Sequence, residues 1–114
     1  MWLMMFCIIS LLFPVLGHAA TASWGPNDPV VDFAGVNIYR APGSCATPGA
    51  FVKVDTALKP LTSEVLTNPS ADGVYCHRAT AFDTSNNESV FSNTAEFQYN
   101  VVPPLAPRLF TVTP

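Results

Sequence analysis

The chain has 114 residues, a formal net charge of −3 and only five Lys and Arg, so it allows one domain at most and offers no basic stripe to neutralise nucleic-acid phosphates. Eleven prolines exclude a helical protein and suit short strands joined by turns, because Pro breaks helix interiors and is tolerated at strand ends.

Met1 to Leu16 is apolar apart from Ser10 and Pro14 and carries no side-chain charge. The run is shorter than the roughly 20 residues that span a bilayer, and Gly17-His18-Ala19 supplies small residues where a signal peptidase reads. Residues 1–19 are therefore expected to be a signal peptide cut after Ala19, with retention as a membrane anchor the alternative. Cleavage removes Cys7 and leaves Cys45 and Cys76, an even count that suggests one disulfide in an exported chain. The expected location is secreted or cell-surface, the periplasm included, with no membrane contact after cleavage.

Ala20 to Trp24 alternates apolar and polar residues and ends at the turn signal Gly25-Pro26-Asn27-Asp28-Pro29. Val36 to Arg40 predicts a second strand stopped by Ala41-Pro42-Gly43, and Phe51 to Val54 a third. Ser63 to Leu66 is a weaker fourth, closed by Asn68-Pro69 and Asp72-Gly73. Val74 to Phe82 is a longer fifth, ended by the polar loop 83–87. The sixth, about Thr94 to Val101, has Ala95, Phe97, Tyr99 and Val101 on one face and Glu96, Gln98 and Asn100 on the other. Short strands, frequent turns and no helical period predict an antiparallel sandwich.

Gly35 to Arg40, a variable loop and Phe51 to Val54 resemble strands C and C′ of bacterial-type fibronectin type III domains. Asp72-Gly73-Val74-Tyr75, Ala79 to Asp83, Asn87-Glu88-Ser89 and Ser92-Asn93 are similar to the family's strand F, FG loop and start of G, and Thr21 to Trp24 to its strand B. The resemblance covers residues 20–101 and implies an all-β, immunoglobulin-like β-sandwich. It implies a core containing Trp24, Val36, Ile38 and Tyr75, with Tyr75 as the corner tyrosine whose hydroxyl bonds nearby backbone. Strand parity then turns Tyr75, His77, Ala79 and Ala81 inward and Cys76, Arg78, Thr80 and Phe82 outward. With C and F as neighbours, Cys45 and Cys76 are expected to form a disulfide.

The family's A strand has no counterpart before Trp24, where the signal peptide lies. Residues 102–114, Pro-rich and containing Leu109-Phe110-Thr111-Val112, look like that strand at the other end of the chain. Three readings follow: the start of a second such domain, a return onto the same domain, or a strand (Leu109, Phe110, Val112) donated to the open edge of another copy.

Only His77 remains after cleavage, and parity turns it into the core, so no catalytic constellation forms and no enzyme is expected. Neither Cys-x-x-Cys, His-x-His nor a Gly-rich phosphate loop occurs, and Asp83, Asn86, Asn87 and Glu88 lack the spacing of a calcium loop. No cofactor or metal is expected, and these four residues are assigned to a solvated turn. Asn87-Glu88-Ser89 is a glycosylation sequon, used only where the host glycosylates exported proteins. Tyr39, Arg78 and Phe82 on the outer face form a candidate surface for an extracellular protein or carbohydrate, with ordinary cross-strand pairing as the alternative. The expected function is a secreted, non-catalytic binding or spacer module, and the alternative is a self-assembling structural subunit.

Overall fold

The computed structural model describes residues 20–25 and 32–114; the expected signal peptide and the turn at 26–29 lie outside them. The described residues contain six strands and no helix: β1 (Thr21–Ser23), β2 (Phe33–Pro42), β3 (Val52–Leu58), β4 (Ser63–Val65), β5 (Gly73–Asp83) and β6 (Ala95–Tyr99). All pairings are antiparallel. One sheet has the order β1-β4 and the other β3-β2-β5-β6, which makes an all-β, two-sheet sandwich.

The strand limits follow from where the backbone groups go. β2 begins at Phe33, earlier than its alternation suggests, because it pairs with β5 from the outset. Phe51 lies outside β3, which runs instead to Leu58 as the partner of Gly35. β6 stops at Tyr99, and, two residues on, the Asp72 carboxylate accepts the amides of Val101 (2.6 Å) and Val102 (2.8 Å). The alternation of β6 holds, with Phe97 and Tyr99 buried and Glu96 and Gln98 exposed.

The core lies between the sheets: Ala20, Ala22, Trp24 and Leu66 from one side, and Val36, Ile38, Ala57, Ala79, Phe97 and Tyr99 from the other, with Val54 and Tyr75 packed against them. The Tyr75 hydroxyl donates to the Ala71 carbonyl at 2.9 Å, and its ring meets Tyr99 edge-on.

Polar groups also cross this core. Arg40 follows the inward parity of Val36 and Ile38 and is buried, its guanidinium over the rings of Tyr75 and Tyr99. Its Nη1 donates to the Thr67 carbonyl and, at 3.5 Å, to the Tyr99 hydroxyl. A register shift in the β2–β3 ladder leaves Val54 unpaired, between Asp55 opposite Ile38 and Lys53 opposite Tyr39. The Asp55 carboxylate accepts the Thr67 amide (3.0 Å) and hydroxyl (2.7 Å).

His77 is fully buried. Its Nδ1 is 3.2 Å from the Ala95 carbonyl, which can only accept, so the proton sits on Nδ1; Nε2 then accepts the Tyr99 hydroxyl at 3.0 Å. Burial, reinforced by the nearby Arg40 charge, depresses the imidazole pKa to about 4. The unfolded chain therefore binds a proton below about pH 6.5 that the folded chain refuses until about pH 4. Stability is complete above that window and is expected to fall by about 3 kcal/mol as pH drops through it. Urea unfolding at pH 7.5 and 4.5 measures this. His77→Gln should remove most of the decline, and an equal decline in wild type and variant would assign it to other groups.

Cys45 and Cys76 form a disulfide with Cα atoms 4.9 Å apart, closing a loop across 31 positions. A loop of that length stabilises by about 2 to 4 kcal/mol. The paired Cys45→Ala and Cys76→Ala substitutions should lower the unfolding free energy by that amount, and an unchanged urea midpoint would contradict it.

Candidate functional site

The outer face of the four-stranded sheet carries the side chains of β2 and β5 that point away from the core. Register sets Tyr39 opposite Arg78, Asn37 opposite Thr80, and Gly35 opposite Phe82. The face is not bare. The chain after β5 folds along its edge, with Ser89 and Ser92 amides donating to the Ala81 and Ala79 carbonyls, and their hydroxyls accepting the amides of Ala81 and Ala79.

This path brings Phe91 onto the face. The Arg78 guanidinium lies over two rings, its carbon 3.6 Å from the Phe91 centroid and 3.9 Å from that of Phe51. Tyr39 meets Phe91 edge-on at 5.3 Å. A desolvated cation over aromatic rings is a strong form of the cation–π contact, and here the Arg78 Nε has no hydrogen-bond partner among the described residues. Phe91 remains 45% exposed and Val90 78%, so aromatic and aliphatic surface of the loop faces solvent here.

Beside the stack stands Glu88. Its Oε1 accepts from Tyr39 Oη (2.5 Å), Thr80 Oγ1 (2.5 Å) and Asn37 Nδ2 (3.1 Å), while Asn37 in turn accepts from Thr56. The Thr80 and Tyr39 hydrogen bonds hold the Glu88 carboxyl below its ordinary value. Burial, with the Glu88 hydrogen bond and charge, pushes the Tyr39 phenol up. The turn itself is closed by Asp83, whose carboxylate accepts the Asn87 and Ser85 amides and the Asn87 side chain; these bonds lower its pKa.

Three expectations change. Phe82 does not join Tyr39 and Arg78: it lies four positions along β5 with its ring over Gly35, where a Cβ would come within 2.8 Å of it and 2.5 Å of the Ala57 carbonyl. Cys76 and Thr80 are on the outer face yet buried, Cys76 in the disulfide with Cys45 and Thr80 in its bond to Glu88. Glu88 is more than part of a solvated turn, because it joins three strand residues to the loop. Phe51 and Phe91 are the residues the sequence reading missed. Sequence alternation makes Phe51 the first residue of the third strand without a role at the site, and Phe91 lies in a loop where no alternation assigns a face.

Among the described residues no group of three or more His, Cys, Asp or Glu is gathered as a metal site requires. No helix of the described residues is long and apolar enough to cross a membrane. No protein-family model matches the chain, and no curated protein matches it in sequence.

Glu88→Ala should leave Thr80 and Asn37 without their shared acceptor and cost about 1 to 3 kcal/mol. It should also lower the Tyr39 pKa toward the usual tyrosine value, read by ultraviolet titration. Loss of neither would show that the carboxylate is dispensable to the face.

Proposed function

We propose that the chain is a secreted, non-catalytic module of the fibronectin type III kind that binds an extracellular protein through the outer face of its four-stranded sheet. The strand order supports the first part: β1 and β4 correspond to B and E, and β3-β2-β5-β6 to C′-C-F-G, the partition of an immunoglobulin-like sandwich. The Tyr75 hydroxyl bonded to backbone four residues upstream has the geometry of that fold's tyrosine corner. The disulfide supports an oxidising location.

The observation that carries the binding role is the fixed Phe51–Arg78–Phe91 stack with the exposed Val90 next to it in the chain. Rigid aromatics and a planar cation flanked by exposed aliphatic surface suit the centre of a protein interface. A sugar platform presents open ring faces, whereas here one face of each phenylalanine is taken by the guanidinium, which favours a protein over a carbohydrate.

The test is affinity capture of extracellular proteins, with a polysaccharide panel alongside, by wild type and by Phe91→Ala and Val90→Asp. Val90 is 78% exposed, so Val90→Asp should leave folding unaffected; Phe91→Ala also strips the ring from Arg78, so its urea midpoint is measured alongside. The expected result is at least a tenfold loss of affinity for a captured protein. Binding indifferent to both variants would remove this face from consideration, polysaccharide binding alone would reassign its ligand, and absence of any binding would leave a spacer.

A further inference from the structure

β1 has one neighbour. It pairs with β4 through Ala22↔Glu64, flanked by Leu66 N–H to Ala20 O and Trp24 N–H to Thr62 O. Backbone groups alternate along a strand, so those of Thr21 and Ser23 point to the other edge. Among the described residues no strand occupies that edge. The sheet on this side of the core is thus two strands of three residues each, and an unpaired edge beside buried Ala22 and Trp24 is a template for a further strand.

The chain also carries an apolar segment with no place in its own domain. After Val102 is held by Asp72, no hydrogen bond joins residues 103–114 to the other described residues. Leu105, Leu109, Phe110 and Val112 are 78–96% exposed. Leu109 to Thr113 is rich in strand formers, and a period of two sets Phe110 and Val112 on one side and Leu109, Thr111 and Thr113 on the other.

We infer that the arm of one copy adds residues 109–112 as a strand to the open edge of β1 in a second copy, with Phe110 and Val112 turned toward the core beside Ala22 and Trp24. This surface is separate from the Arg78 face and does not depend on its ligand. Each copy then both donates and accepts, and because donor and acceptor are different surfaces the assembly closes into an arm-exchanged dimer or ring where the geometry permits and runs on head to tail where it does not. A four-residue strand buries well under the roughly 1,200 Å² of a stable interface, so association is weak and driven by concentration.

The test is analytical ultracentrifugation of the exported full chain from micromolar to millimolar concentration. The weight-average mass should rise with concentration. Phe110→Asp removes the donor without touching the folded part, and Ser23→Pro removes an outward amide at the acceptor edge, where Pro is tolerated. Each variant alone should stay monomeric, and an equimolar mixture should form a dimer and nothing larger. A peptide of residues 105–114 should dissolve wild-type multimers. If Ser23→Pro fails to fold, Phe110→Asp and the peptide still decide. A monomeric wild type at millimolar concentration, or multimers that survive both Phe110→Asp and the peptide, would overturn the inference.

Discussion

The two sheets of this sandwich meet through side chains, and polar groups fasten them at Thr67. Just beyond β4, its carbonyl receives the Arg40 guanidinium, while its amide and hydroxyl bind Asp55. A guanidinium between sheets is tolerable only when its donors are satisfied and its faces packed, and Tyr75 and Tyr99 supply those faces. The register shift that leaves Val54 unpaired accompanies this arrangement, because Asp55 then reaches the second sheet while Val54 still packs on the core. Much of the remaining order descends from this junction. Tyr99, placed by Arg40, orients His77, and His77 ties β5 to the Ala95 carbonyl at the start of β6.

The interior is consequently built differently from a purely aliphatic core. Ala20, Ala22, Ala57 and Ala79 bring the backbones close, and the volume is filled by Tyr99, Ile38, Leu66, His77 and Val36. A neutral imidazole, a phenol and a guanidinium hydrogen-bonded in series give a directional interior, in which each group has one acceptable partner geometry. The outer face repeats the theme with Glu88 as acceptor and Arg78 as the enclosed cation.

Local alternation carried the strands, the all-β class and the faces of β6, because a period of two survives wherever one side is buried. Parity also assigned His77 to the interior. Arg40 lies on the side of Val36 and Ile38, where the sequence reading did not place it, and what permits its burial is Thr67, 27 positions away. Phe91 was illegible for a different reason. A loop residue has no periodic environment, and its position depends on where distant hydrogen bonds, here those of Ser89 and Ser92, lay the chain; Phe51 reads as a strand residue, and its contact with Arg78 joins separate parts of the sequence. Phe82 was assigned to the cluster by its face alone; its distance along β5 and the missing side chain of Gly35 decide otherwise.

The disulfide has a reach beyond the loop it closes. The segment between β2 and β3 is tied at Gly43 to the Val74 carbonyl, at Cys45 to Glu96 and to Cys76, and at Gly49 back to Pro42; the next side chain but one is Phe51, which backs Arg78. Sulfur chemistry thus sits upstream of one wall of the cation's slot. The cystine bears on the packing around Arg78 as well as on the loop it closes.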